Sequence, residues 1–263
     1  MYKVIFSDLD GTLLDKDRNI PQKNLEAIKK AKDKGIKFVV CTGRLPFCYK
    51  MFKDKLDLSE AVSTNGAVVY SNGEIIKSKY LSKDIARKVL DYGISHNEYQ
   101  RIFGVDYLYL LHIEKGGSDA YFYKDSKGVS DKEAIQLVND IDIYKFGFYD
   151  DREHLEEIRK DLEAMNLDVD VVYSGANLLE VLVKNQNKGQ GIIDYCRYNK
   201  IDISETIGIG DEENDMPMLK TVGLACCPKN ALKEIKDKCG YVTSVDNNEG
   251  AIAEIIEKYI LEE

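Results

Sequence analysis

No apolar run in the 263 residues approaches the ~20 needed to span a bilayer. The N-terminus has no basic stretch leading into a long apolar core. It runs directly into Lys3-Val4-Ile5-Phe6-Ser7, which reads as a strand, so neither a secretory leader nor a membrane partner is expected. The chain has no CxxC pair, no HExxH and no Walker sequence. His96, His112 and His154 lie singly, without metal-ligand spacing, and read as surface or packed side chains. Six cysteines fall at 41, 48, 196, 226, 227 and 239, none with a histidine at zinc-finger distance. Adjacent Cys226 and Cys227 suit neither an ordinary disulfide nor tetrahedral zinc. Buried reduced thiols in a cytoplasmic protein are what remains. Basic side chains are also outnumbered, 37 against 46, for a net charge of −9. That balance argues against a nucleic-acid partner, because phosphate backbones need a basic face. A small anionic substrate stays open, since a bound cation can reverse the local field.

What is present is an ordinary globular composition, with no internal repeat and no low-complexity tract. The first part alternates strand and helix. Val4–Ser7 ends at Asp8; Asn24–Lys34 has a helical apolar face; Lys37–Cys41 ends at Thr42-Gly43-Arg44; Ala61–Thr64 ends at Asn65-Gly66. Such alternation predicts a doubly wound, Rossmann-like parallel sheet, whose ligands bind beyond the carboxyl ends of the strands. Ser71-Asn72-Gly73 reads as a hairpin turn. From residue 82 the texture changes to hairpins mixed with helices, rich in tyrosine across 92–149, which predicts an α+β insert. Alternation returns near Gly189: a helix over Ile192–Tyr198, a strand over Thr206–Ile209, a helix from Asp215, strands at Val222–Cys226 and Tyr241–Thr243, and a closing helix over Glu249–Leu261. The predicted fold is therefore an α/β core from residues 1–81 and 187–263, with an inserted domain over 82–186.

Four groups of residues can carry chemistry. Asp8 and Asp10 stand at the end of a buried strand, where two carboxylates need a cation or a shared proton. Alone, the pair reads sooner as two solvated acids before a Gly-Thr turn. A second acidic loop, Gly210-Asp211-Glu212-Glu213-Asn214-Asp215, follows a strand and opens a helix. Asp211 could complete a metal site there; Asn214 and Asp215 could also be plain helix caps. Thr42-Gly43-Arg44 offers a hydroxyl and backbone N–H groups to a phosphoryl group, or is a common turn. Lys188, just before a helix, could balance a carboxylate and a phosphate, or be merely solvated.

The order DLDGT, TGR, Lys188, GDEEND resembles the haloacid dehalogenase-like hydrolase superfamily. "GIKFVVCTGR", "STNGAVVY" and "GIGDEENDMPML" are similar to its Cof-type subgroup, and the insert resembles that subgroup's C2B cap. The resemblance spans the whole chain and is weakest in the cap. It implies a phosphatase acting on small phosphorylated metabolites such as sugar phosphates, with Asp8 as nucleophile forming an aspartyl-phosphate and Asp10 as acid/base. It implies Mg²⁺ held by the Asp8 side chain, the Asp10 carbonyl and Asp211, with Asp215 and Glu212 behind them. It implies that Thr42, Gly43, Lys188 and Asn214 hold phosphoryl oxygens, and that Arg44 and Asn65 reach the phosphate or the substrate body. Two departures stand out: Ala225-Cys226-Cys227-Pro228-Lys229-Asn230-Ala231 differs from the subgroup's usual Met-Gly-Asn-Ala, and Asn187 replaces a common Ser. Both weaken transfer of substrate identity. A phosphosugar mutase using the same intermediate, and a non-catalytic metabolite-binding protein, are the alternative readings. The sequence leaves the oligomeric state open.

Overall fold

The computed structural model describes residues 1–46, 56, 59–116 and 126–262; Cys48, Tyr121 and Tyr123 lie outside them. Chain order begins β1 (Val4–Ser7), α1 (Gln22–Asp33), β2 (Lys37–Cys41), β3 (Ala61–Ser63), β4 (Val68–Ser71) and β5 (Glu74–Ser78). It continues α2 (Lys83–Ser95), β6 (Gln100–Gly104), β7 (Leu108–Leu111), β8 (Ser126–Val129), α3 (Asp131–Asp140), β9 (Ile143–Tyr149), α4 (Arg152–Ala164), β10 (Val169–Tyr173) and β11 (Leu178–Val183). It closes with α5 (Lys188–Asn199), β12 (Thr206–Ile209), α6 (Met216–Thr221), β13 (Leu224–Cys227), α7 (Lys233–Lys236), β14 (Tyr241–Val242) and α8 (Ala251–Ile256). Two compact units result: Met1–Ser78 with Asn187–Glu263, and Lys79–Gln186.

The first unit is built on an eight-stranded sheet in the order β14-β13-β12-β1-β2-β3-β4-β5. It is parallel throughout, except that β3, β4 and β5 run antiparallel at one edge. Each central strand is apolar on both faces, as a sheet covered on both sides requires. Ile5, Phe38, Val40, Ile207 and Ile209 pack toward Ala27, Ile28, Ile252 and Ile255 of α1 and α8. Val4, Phe6, Val39, Cys41 and Val62 pack toward Ile192, Tyr195 and Met218 of α5 and α6. Successive residues alternate between those two layers because strand side chains point to opposite faces.

Of the boundaries that differ from expectation by a residue or more, two have clear local reasons. Helix α5 begins at Lys188, four residues before the predicted Ile192, because the Asn187 side chain caps it by accepting the Gln190 N–H at 3.0 Å. The helix expected from Asp215 starts at Met216, with Pro217 in the first turn, where its missing N–H costs no hydrogen bond.

The second unit is a six-stranded sheet in the order β10-β11-β9-β6-β7-β8, antiparallel except for the β7–β8 pair. Ile102, Phe146, Phe148, Leu179 and Val181 face Val89, Leu90, Val138, Leu155 and Ile158 of its helices. The alternate residues Arg101, Phe103, Lys145 and Glu180 are also buried. Lys145 and Glu180 pair there, and the Arg101 guanidinium lies 5.1 Å from the Tyr149 ring. Ser130 starts α3 with a reciprocal cap: its hydroxyl accepts the Glu133 N–H, and the Glu133 carboxylate accepts the Ser130 N–H. Ser130→Ala is expected to cost ~1 kcal/mol in urea unfolding without changing turnover.

The five described cysteines carry no disulfide. Among the described residues, no helix is long and apolar enough to cross a membrane.

Candidate active site

The carboxyl ends of β2, β1 and β12 lie side by side at the middle of the first sheet, where strand order runs outward in opposite directions. A switch point of this kind opens a crevice beyond the strand ends. Asp8 follows β1, and its N–H donates to the Ile209 carbonyl at 2.9 Å, so β1 and β12 stay paired to the edge of the site. Asp211 follows β12 by one residue, and Thr42 follows β2 directly.

Three carboxylates meet there. One oxygen from each of Asp8, Asp211 and Asp215 lies within 4.8 Å of the others, and all three residues are buried. Lys188, from the first turn of α5, reaches them with Nζ 2.7 Å from Asp8 Oδ1 and 2.6 Å from Asp215 Oδ1. The second Asp215 oxygen accepts the N–H groups of Asp211 and Glu212, at 2.9 and 3.1 Å. Asp215 therefore ties the acidic loop to the lysine. Asp211 accepts the Thr12 hydroxyl at 2.5 Å.

One buried ammonium against three buried carboxylates leaves two negative charges in surplus. Burial, then the charges of Asp215 and Asp10, raise Asp8 to about 7 against the pull of Lys188. Burial and the charges of Asp215 and Asp8 hold Asp211 well above the carboxylate range. Burial alone would push the Lys188 ammonium down, yet Asp215 and Asp8 outweigh it and keep the group charged. A donor set of hard oxygens carrying two surplus charges fits a divalent cation such as Mg²⁺.

Asp10 stands apart from that cluster. Its half-exposed carboxylate accepts two hydrogen bonds from Arg44, Nε to Oδ2 at 2.8 Å and Nη2 to Oδ1 at 2.5 Å. Directly after Asp8 the chain makes a wide turn from Leu9 to Leu14, with Asp10 inside it, closed by the Leu14 N–H on the Leu9 carbonyl at 2.8 Å. Gly11 has φ +76° in that turn, and a Cβ there would overlap the Asp211 carboxylate. The turn thus sends Asp8 into the cluster and Asp10 away from it.

The remaining predicted residues surround this centre. The Thr42 hydroxyl accepts the Arg44 N–H at 3.1 Å. Asn214 Nδ2 donates to Asn65 Oδ1 at 3.2 Å, and the Asn65 amide lies against Gly43. Glu212 is half-buried at the start of the turn that holds Asn214. Two contributors carried no assigned role in the sequence: Thr12, the last residue of DLDGT, and Asn230, whose Nδ2 holds the Gly11 carbonyl at 2.7 Å. The signal for Asn230 was the unusual segment after β13, which reads as a specificity difference and is a support for the Asp8–Asp10 turn.

A family model described as haloacid dehalogenase-like hydrolase matches residues 5–256. A 5-amino-6-(5-phospho-D-ribitylamino)uracil phosphatase of Bacillus subtilis is 28% identical over 98% of both chains. A phosphoglycolate phosphatase of Methanobrevibacter smithii is 28% identical over 97% of both. The solved structure of a haloacid dehalogenase-like hydrolase from B. subtilis is 26% identical, covers 98% of this chain and 99% of its own, and superposes with a TM-score of 0.86.

Proposed function

The chain belongs to the haloacid dehalogenase-like hydrolases and is a phosphatase; from that premise we propose that it hydrolyses small phosphate monoesters through an aspartyl-phosphate on Asp8, with Mg²⁺. The observation that carries this reading is the Asp8 carboxylate, fixed at the end of β1 against Lys188 and beside the acidic loop.

In the first step a carboxylate oxygen of Asp8 attacks phosphorus and the ester P–O bond breaks. Asp10 gives a proton to the departing alkoxide. In the second step Asp10 takes a proton from water, which attacks the aspartyl-phosphate and releases inorganic phosphate. For either role Asp10 must leave Arg44, and an arriving phosphate offers the guanidinium an alternative partner. Lys188 offsets the charge of Asp8. Thr42, Gly43, Arg44 and Asn214 supply donors for the phosphoryl oxygens, since phosphoryl transfer is chiefly positioning and charge stabilisation. Asp8, the Asp10 carbonyl and Asp211 would hold Mg²⁺, backed by Asp215 and Glu212; when bound, the ion supplies positive charge to the phosphoryl oxygens.

We assign recognition of the leaving group to the inserted unit. Arg101, Lys145 and Glu180, buried on the side of its sheet away from the helices, support a role beyond packing. The curated relatives named above act on dissimilar phosphate esters, so sugar phosphates and related metabolites are proposed as a class. The unbridged cysteines support a reducing, cytoplasmic compartment.

A phosphate-release screen over sugar phosphates, nucleotides and phosphorylated coenzymes tests this function. Exhaustive EDTA treatment should reduce turnover below ~1%, and added Mg²⁺ should restore it. Mg²⁺ should also raise the melting midpoint of the chelated protein, an effect independent of turnover. Undiminished activity after chelation would refute the metal role. Conversion of a hexose 1-phosphate to its 6-phosphate without phosphate release would favour the mutase.

A further inference from the structure

Thr64, Asn65 and Gly66 have φ values of +54°, +51° and +87°, three successive residues in the left-handed region. Among the described residues no other run is as long. Asparagine and glycine tolerate this conformation, but a β-branched threonine rarely does. The Thr64 side chain is buried, and its hydroxyl has no hydrogen-bond partner among the described residues. A strained backbone and an unmet hydroxyl persist only where the surroundings over-determine the conformation.

The surroundings here are the phosphate-facing parts of the site. The Thr64 N–H donates to the Arg44 carbonyl at 3.0 Å, and the Asn65 N–H to the Thr42 carbonyl at 3.0 Å. Both ends of the Thr42–Arg44 loop are therefore anchored to this turn. The Asn65 amide covers Gly43, where an added Cβ would come within 3.1 Å of Oδ1. The same Oδ1 accepts the Asn214 amide at 3.2 Å. Gly66 lies against Gly191, one turn along α5 from Lys188, so closely that a Cβ on Gly191 would overlap Gly66 Cα.

We infer that the Thr64–Gly66 turn is a splint, and that Asn65 is a positioning residue which fixes Asn214 and the Thr42–Arg44 loop relative to each other. The inference rests on the phosphatase reading and goes beyond it. Asn65 then serves every substrate alike, because it holds the groups that grip the phosphate, whatever the leaving group.

The test is a double-mutant cycle on the full chain, with Asn65→Gly, Asn214→Ala and the pair. Glycine keeps the left-handed backbone. Phosphate release is followed with p-nitrophenyl phosphate and with the best substrate of the screen. Asn65→Gly should lower kcat by about 10²-fold on both substrates, the scale of a small misplacement. The pair should fall no more than about threefold below the worse single variant, because the two residues act as one unit. The melting midpoint should move little. Additive losses in the cycle would mean a direct substrate contact and overturn the inference. So would a loss confined to one substrate, or a lowered midpoint with unchanged kcat. If Asn65→Gly does not fold, Asn65→Asp, which also tolerates this backbone, carries the same cycle. A wild-type protein that releases no phosphate from any ester would overturn the proposed function itself, and the inference with it.

Discussion

Asp8→Asn should lower kcat by about 10⁴-fold or more while leaving the protein folded, because the amide cannot form the proposed phosphoryl intermediate. The substitution is nearly isosteric, so the hydrogen bond between the Asp8 N–H and Ile209 is retained. It also removes one of the three crowded carboxylates, which gives the variant a signature apart from activity. Burial and the charges of Asp215 and Asp10 raise Asp8 from 3.8 to about 7 in the folded protein. A raised carboxylate favours the folded state fully below 3.8, and that contribution is lost as pH climbs through about 7. In metal-free buffer, wild type should therefore lose stability relative to Asp8→Asn as pH rises across that window. Paired thermal melts measure the difference. An Asp8→Asn protein with a tenth of normal turnover would sink the covalent mechanism.

Lys188→Met should be the most damaging single change to stability in the site. Lys188 is fully buried and is bonded to Asp8 and Asp215. Methionine nearly fills the volume but leaves three buried carboxylates with no ammonium among them. Breaking a buried ion pair from one side typically costs ~3–5 kcal/mol, because the remaining charge stays uncompensated. Urea unfolding in metal-free buffer should show a loss of that order, and kcat should fall by about 10³-fold even with Mg²⁺ present. Lys188→Arg should not restore activity, since the guanidinium is larger, planar and differently hydrated. A Lys188→Met protein with wild-type unfolding and turnover above a tenth of normal would remove the lysine from the mechanism.

Much of the site was legible because its parts are short and local. Asp8, Thr42 and Asp211 each follow a strand of recognisable texture, and strands alternating with helices bring such ends to one edge of a sheet. Lys188 was legible as a candidate, but its helix was expected to begin four residues later, because the Asn187 cap is a single side-chain contact that periodicity does not register. What could not be read was the pairing across the fold. Arg44 meets Asp10 over 34 residues, Asn214 meets Asn65 over 149, and Asn230 meets Gly11 over 219. No local pattern encodes such contacts. Thr64 was hidden for the opposite reason: a β-branched residue at a strand end reads as more strand, and its left-handed backbone is imposed by its neighbours.

The interrupted first unit also has a consequence for how the protein is made. Strand β1 lies at the centre of its sheet, yet its β12 neighbour begins at Thr206, and Lys188 is 180 residues from Asp8. On a ribosome adding ~5–20 residues each second, β1 waits on the order of ten seconds or more with one edge unpaired. Meanwhile the whole of Lys79–Gln186, with its own apolar core, has left the tunnel and can collapse first. Nascent chains stalled before β12 would display an open, apolar strand edge, which is a site for chaperone capture or aggregation. Lys188 thus joins Asp8 only late in synthesis, so the order of translation works against any half-made chain having activity.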